Sequence, residues 1–311
     1  MDIRPLRYFV TVAELGSFSA AARHLNVAQT ALSRHVAALE SDLTTQLFVR
    51  TPRGVSMTEA GERLLHYGLN ILRQLELVPN VVHGPERQVM GRVSVGLPSS
   101  VSAIFSAPLL VRATRLLPGV RVHLTESLSG YLEEWVQCNR LDLAILFNAV
   151  PSPNVLLSNM LVEDLCLLGP TDAFPKRANS VEFHQLQRYP LVLPGMLHSL
   201  RRLLENMARS HGIRLNVAYE VDSQTVTRDL LHTGGLFAIV SQGALHEEVA
   251  AGRLSALRIV APAVSRSVAL AMCALPGRTP ACEQIGKLML DLARELQASG
   301  VWKASPHFTA E

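Results

Sequence analysis

Gln29, Thr30, Ser33 and Arg34 fall on one side of a single helical run and together offer an amide, two hydroxyls and a guanidinium. An amide pairs in bidentate fashion with adenine, a guanidinium with guanine or phosphate, and a hydroxyl with phosphate or either base edge. With Ala37 completing that side, the front is low enough for the helix to lie deep in a major groove. Its back carries Leu32, Val36, Leu39 and Leu43, spaced four, three and four apart, an apolar stripe that fastens the helix to its domain. An amphipathic helix of any small bundle shows the same stripe, so spacing alone leaves both readings open.

The elements around this run decide what it is for. Leu6, Phe9, Val10 and Ala13 keep helical spacing over residues 5–15, Pro5 is tolerated in the first turn, and Gly16 stops the helix. Ser17 or Ser19 caps a second helix over residues 20–25, whose alanines permit close approach of a neighbour. Only Asn26 and Val27 separate it from the third helix. Then LFVRTPRGVSMTEAG reads as a strand, a Pro-Arg-Gly turn and a returning strand, with Thr58 capping a further helix and Glu59 in its first turn. A hairpin bearing Arg50 and Arg53 beside a helix-turn-helix is a wing, placed to reach phosphates or an adjacent minor groove.

The run from Leu6 to Gly61 closely resembles the N-terminal DNA-binding domain of LysR-type transcriptional regulators. Gly16-Ser17-Phe18, Ala21-Ala22, Leu25, Gln29, Ser33, Leu39-Glu40, Leu47-Phe48, Arg50, Thr58 and Ala60-Gly61 carry the resemblance. It implies a DNA-binding set of Gln29, Thr30, Ser33, Arg34, Arg50 and Arg53. Three positions depart from the family pattern. Ala28 stands where Ser or Thr commonly caps the recognition helix, Thr44 where glycine is usual, and Thr30 where Pro or Ser is usual.

After Thr58, the residues Leu64, Leu65, Leu69, Ile71, Leu72, Leu75 and Val78 form a stripe too wide for a helix that rests only on a small winged domain. Pairing with the same helix of a second copy would cover it, as would burial against the C-terminal half. Two-fold pairing also presents two recognition helices to a pseudo-palindromic operator. VPNVVHGPERQVMG then breaks the periodicity and reads as a hinge.

From Arg92 onward strands alternate with helices, a rhythm that predicts a parallel sheet with crossover helices. This half looks like the effector-binding part of the same family, a two-lobed, periplasmic-binding-protein-like pair of Rossmann-like subdomains joined by crossover strands near Val162 and Ser267. The fold class expected is therefore α/β, with an α-dominated winged helix-turn-helix at the N-terminus. The boundaries expected are 1–58 for the DNA-binding domain, with the helix-turn-helix at about 18–37, 59–79 for the linker helix and 80–91 for the hinge. The first effector subdomain is 92–162 with 267–300, and the second is 163–266.

In such sheets ligands sit beyond the carboxyl ends of the strands, where helix N-termini offer amides. Ser99, Ser100 and Ser127 follow strand ends, and His198, Ser199 and Arg201 surround the start of a helix across the cleft, a position the family commonly uses. Each serine is equally readable as a plain helix cap, His198 as a cap, and Arg201 as interchangeable with a solvated Arg202. The polar and basic lining suggests an anionic small-molecule effector.

Composition narrows the alternatives. A net charge of +3 does not by itself call for nucleic acid, but all of the 29 basic residues except Lys176, Lys287 and Lys303 are arginines, suited to planar contacts with phosphate or guanine. No GxSxG, P-loop, GxGxxG after a strand or HExxH occurs, so no catalytic residues, cofactor or metal are expected. A periplasmic solute-binding protein would share the cleft but would have no use for residues 1–60. Cys138, Cys166, Cys273 and Cys282 contain no CxxC pair; buried thiols are one reading, and a redox disulfide between Cys273, in what reads as a buried strand, and Cys282 is the other. The low-charge windows 93–111 and 143–162 are broken by prolines, and no secretory signal opens the chain, so a cytoplasmic protein without membrane contact is expected. The partners implied are duplex DNA, the effector, a second copy of the chain, a homotetramer of dimers, and RNA polymerase.

Overall fold

The computed structural model describes residues 2–51, 54–83, 89–175, 178–274 and 279–306. The chain divides into two units, one of residues 1–87 with 138–140 and one holding the rest.

In the first unit, α1 (Ile3–Leu15) starts where the Asp2 carboxylate accepts the Ile3 N–H at 2.6 Å and ends at Gly16, whose φ of +61° lies in the left-handed region. The first turn thus begins two residues before Pro5. Ser17 caps α2 (Phe18–His24) by accepting the Ala20 N–H, with Ser19 beside it at 3.0 Å. Asn26 takes φ +54° and the Val27 N–H returns to the Ala22 carbonyl at 3.0 Å, a helix end that Asn tolerates better than most residues. The recognition helix α3 (Gln29–Asp42) follows, and Ala28 supplies no side-chain cap.

Leu32, Val36 and Leu39 are at most 1% exposed, each worth about 1.5–3 kcal/mol of burial. Leu43 does not continue that stripe. It is the C-cap residue and is exposed, because the helix ends there in a Schellman motif: Thr45 N–H bonds to the Glu40 carbonyl and Thr44 N–H to that of Ser41. The left-handed position falls on Thr44, at φ +51°.

Strands β1 (Phe48–Thr51) and β2 (Gly54–Met57) form an antiparallel hairpin with Phe48 opposite Met57. The Val55 N–H bonds to the Gly16 carbonyl at 3.2 Å, tying the returning strand to the α1–α2 turn. Helix α4 (Glu59–His83) is capped by Thr58, whose Oγ1 donates to the Gln46 carbonyl and accepts the Gly61 N–H. A Cβ on Gly61 would lie 2.2 Å from the Leu47 carbonyl oxygen, so only glycine lets the helix approach this strand. Leu64, Leu65, Leu69 and Leu72 pack against Leu6, Phe9, Val10, Leu39 and Leu47, leaving Tyr67, Ile71 and Val78 exposed. The helix runs past Pro79 to His83, where a hinge was expected from residue 80. A proline deletes one intrahelical bond without preventing the helix from continuing.

The second unit is built on one eleven-stranded sheet among the described residues. The first lobe opens with β3 (Gly91–Leu97), α5 (Ser99–Leu116), β4 (Val120–Glu126), α6 (Ser129–Gln137) and β5 (Leu143–Phe147), the strands pairing in parallel in the order β4, β3, β5. The sixteen-residue β6 (Val155–Pro170) then crosses into the second lobe. There follow β7 (Ser180–Glu182), β8 (Leu191–Leu193), α7 (Ser199–Ser210), β9 (Val217–Glu220), α8 (Gln224–His232), β10 (Phe237–Ser241), α9 (His246–Ala250) and β11 (Leu254–Val260). The chain returns along β12 (Ser265–Cys273), adds α10 (Pro280–Ala298), and closes with β13 (Ala304–Pro306) paired to β6.

The sheet is mixed where an all-parallel one was expected. β12 runs antiparallel to both β5 and β6, and β6 antiparallel to β10 and β11. Two strands that carry the chain out and back must run in opposite senses, which βαβ rhythm does not anticipate. One apolar core, including Val95, Phe105, Ile145, Leu270, Met289 and Trp302, fills the first lobe, and another, including Leu167, Phe183, Leu193, Leu204 and Ile239, fills the second.

Candidate nucleic-acid interface and effector cavity

On the first unit, Gln29, Thr30, Arg34 and Ala37 are exposed and Ser33 is half-buried, all on the side of α3 opposite its buried leucines and valine. The polar front is therefore available. The helix behind it is held at three points. Its C-terminal turn is tied by Glu40, whose Oε1 accepts the N–H groups of Leu47 and Phe48; its middle by the edge-on contact of His35 with Tyr8 at 5.4 Å; its N-terminal end by the Asn26 turn. Ala28 makes no side-chain cap bond, which leaves the first-turn amides of α3 without that partner. Arg50 lies on β1, its side chain outside the described residues, and Arg53 lies outside them altogether.

In the second unit, a cleft opens between the lobes. The first lobe lines it with Pro98, Ser99, Ser100 and Ser127, the second with Pro194, His198, Leu200, Asp222, Gln224 and Thr227 among others, and the crossover with Arg266. Pro98 places α5's first turn at the cavity without a side-chain cap, so the amides beside Ser99 and Ser100 meet the interior. Gln224 is steadied by donating to the Ala244 carbonyl at 2.6 Å. Four of the six expected residues, Ser99, Ser100, Ser127 and His198, are brought together.

Ser199 and Arg201 do not line the cavity. Arg201 is buried within its own lobe, where Nε bonds to Glu205 at 2.8 Å and Nη1 to Glu220 and the Pro194 carbonyl at 2.9 and 3.1 Å. Those partners take three of its five N–H donors within its own lobe, so it braces the loop leading to α7. His198 caps that helix: its Nδ1 accepts the Leu200 N–H at 3.1 Å. Burial, then the nearby Arg266 charge, pushes its pKa down to about 4, with Asp222 opposing and Arg202 adding to the fall. The imidazole is therefore neutral at pH 7, with the proton on Nε2.

Arg266 is the residue that spacing did not reveal. It is 4% exposed, with Nε bonded to the fully buried Glu163 at 2.5 Å, Nη2 to Ser100 Oγ at 3.2 Å, and the guanidinium 3.4 Å above the Phe147 ring. Trp302 Nε1 donates to the other oxygen of Glu163 at 2.7 Å. Glu163 and Arg266 face each other on β6 and β12 at the crossover itself. The only sequence signal is a charge set inside each apolar strand run, VEDLCLL and SRSVALA.

Cys273, read as buried, is half-buried at the end of β12, while Cys282 is buried in the first turn of α10. No helix among the described residues is long and apolar enough to cross a membrane.

A winged helix-turn-helix joined to a two-lobed domain with a cleft defines a DNA-binding protein that responds to a small molecule. Residues 3–62 match the family model for the bacterial regulatory helix-turn-helix protein of the lysR family, and residues 86–294 that for the LysR substrate binding domain. The chain belongs to the LysR family of transcriptional regulators. It is 31% identical over 305 residues to the nitrogen assimilation regulatory protein nac of Klebsiella aerogenes, covering 96% of this chain and 99% of that protein. Over 256 residues it is 33% identical to the HTH-type transcriptional regulator BbuR of Bordetella bronchiseptica, covering 82% of this chain and 79% of the relative. Among solved structures, a full-length OxyR variant from Pseudomonas aeruginosa matches with a TM-score of 0.77 at 21% identity, covering 100% of this chain and 99% of that one. Full-length CbnR complexed with its target DNA matches with a TM-score of 0.66 at 23% identity, covering 94% and 100%.

Proposed function

We propose that this regulator reads its operator through Gln29, Thr30 and Arg34, with Ser33, Arg50 and the uncapped first turn of α3 holding phosphates and Arg53 testing minor-groove width. The observation that carries this reading is the exposed polar front of α3 over a fully buried apolar back. Base contacts specify, while phosphate contacts position. Two copies paired through α4 present two such helices to a pseudo-palindromic site, and pairs of dimers extend the contact. The boundaries at residues 58, 79 and 91 separate DNA reader, pairing helix and hinge, although α4 itself continues to His83.

The effector sits in the cavity between the lobes and is a small anion with an apolar body. Serine hydroxyls, helix N-termini and Arg266 favour negative charge, and Pro98, Pro194, Leu200 and Val240 suit an apolar body. Occupancy biases the angle between lobes and so, through the oligomer, the spacing of DNA-binding domains. A thiol trigger through Cys273 and Cys282 has less support: Cys282 is buried in the first turn of α10, and no cysteine is among the described residues that line the cavity.

Fluorescence anisotropy with the DNA upstream of its own gene tests the reader. Arg34→Ala should weaken binding by about 1–3 kcal/mol and relax preference at one base position. Equal loss on random DNA assigns Arg34 to a phosphate instead. Full affinity in an Arg34→Ala, Gln29→Ala double variant sinks the interface.

A further inference from the structure

Among the ionisable groups that line the cavity, Arg266 alone belongs to the crossover strands, and three separate contacts fix it there. Glu163 Oε1 holds Nε and lies 2.5 Å from Nη2 as well, the aromatic face of Phe147 lies under the guanidinium plane, and Ser100 accepts from Nη2 at 3.2 Å. A guanidinium carries five N–H donors, so the Nη1 edge is not used by any of these contacts. The pair is buried: Arg266 is 4% and Glu163 0% exposed. A buried ion pair of this kind is a poor source of net stability compared with apolar residues of the same shape. Its placement makes more sense as chemistry: Glu163 keeps Arg266 charged and aimed, and Arg266 shares Ser100 with whatever enters.

We propose that Arg266 is the anchor for a carboxylate on the effector, with Ser100 as its co-ligand, and that Glu163 and Trp302 are positioning residues that carry occupancy to the crossover strands. The proposal rests on the reading of the cavity as an anion site and goes further by naming the residue, the ligand group and the route outward. The route is short. A carboxylate that accepts from Nη1 and from the Ser100 hydroxyl draws the guanidinium toward itself and loosens its hold on Glu163 of β6, and the far oxygen of Glu163 holds Trp302, which packs edge-on to Phe105 at 6.0 Å and leads into β13. The C-terminal strand thus senses the cavity through two side chains.

Trp135→Phe leaves Trp302 as the sole tryptophan and turns it into the reporter. In that background the full-length protein is titrated with benzoate and hexanoate, and with benzamide and hexanamide as neutral shape controls, following Trp302 emission and calorimetric heat. The expected result is saturable binding of the carboxylates with a change in Trp302 emission, and much weaker binding of the amides. Arg266→Lys should weaken carboxylate binding about tenfold, since the ammonium lacks the planar fork. Arg266→Met alone strands a buried carboxylate, so the paired Arg266→Met, Glu163→Gln variant is the decisive one. It keeps a neutral couple of similar shape and should lose on the order of ten- to a hundred-fold in carboxylate affinity, the usual weight of hydrogen bonds to a charged group, while amide binding is unchanged.

Carboxylate affinity unchanged in the paired variant overturns Arg266 as the anchor and leaves the anion-binding cavity standing. Amides binding as well as carboxylates to the parent, or none of the four binding at the highest soluble concentrations, overturns the anionic reading itself. Carboxylate heat that depends on Arg266 without any change in Trp302 emission overturns the route through Glu163.

Discussion

Glu40 and Leu47 are joined by a hydrogen bond of 2.7 Å, from the Leu47 N–H to Glu40 Oε1, and the same oxygen accepts the Phe48 N–H at 3.2 Å. One carboxylate therefore sets the angle between the recognition helix and the hairpin. Glu40→Ala leaves two partly buried amides without this acceptor and should destabilise the DNA-binding domain by about 1–3 kcal/mol. Glu40→Gln retains an acceptor and should lose less. Thermal melting followed by circular dichroism ranks the two, and equal loss in both would show that charge rather than acceptance matters.

Thr44 occupies a left-handed position at φ +51°, where an L-residue is strained by its Cβ. Thr44→Gly should stabilise the domain by about 0.5–1 kcal/mol, raising the midpoint of thermal melting, without changing operator affinity. A fall in stability would mean that the Thr44 hydroxyl, which donates to the Leu43 carbonyl at 2.8 Å, outweighs the strain.

Tyr67, Ile71 and Val78 remain exposed along α4, where Leu64, Leu65, Leu69 and Leu72 pack on the domain. If they meet the same residues of a second copy, Ile71→Asp removes burial worth about 1.5–3 kcal/mol and adds like charge, weakening self-association tenfold or more. Sedimentation velocity across a concentration series reads this directly. An unchanged dimer would place the pairing surface elsewhere.

His198 predicts a pH signature. Its folded pKa of about 4 lies below the ordinary 6.5, so between these values the unfolded chain binds the proton and the folded chain does not. The contribution of His198 to stability is therefore complete above pH 6.5 and is lost as pH falls from 6.5 through 4. His198→Asn, which can still cap α7, should flatten the melting temperature against pH in that window relative to the parent. Identical slopes in parent and variant would rule out a buried neutral imidazole.

The DNA-binding half was readable in the chain because its signals are local. The helix stop at Gly16, the caps at Ser17 and Thr58 and the Asn26 turn are each marked within a few residues, and the spacing of Leu32, Val36 and Leu39 needs no distant partner. Leu43 departs from the expected stripe because spacing does not show where a Schellman turn ends the helix. The cavity was legible only where strand ends and helix starts coincide, at Ser99, Ser100, Ser127 and His198. Glu163 and Arg266 stand 103 positions apart, and only the crossover brings them together. Arg201 looked like Arg266's role because a sequence does not reveal that Glu205 and Glu220 already hold it. The strands β7 and β13 are three residues each, too short to carry a period.

The order in which the polypeptide leaves the ribosome gives the long β6 a further consequence. All the core residues of the second lobe lie between Leu165 and Val264, whereas those of the first lobe are split between 93–161 and 268–302. The lobe whose synthesis starts later is thus the first to be complete. Until β12 emerges, β5 presents an unpaired apolar edge of the kind that invites wrong strand partners. A nascent chain stalled shortly before Trp302 should carry a finished second lobe beside an aggregation-prone half, a state that trigger-type chaperones on the ribosome are suited to shield.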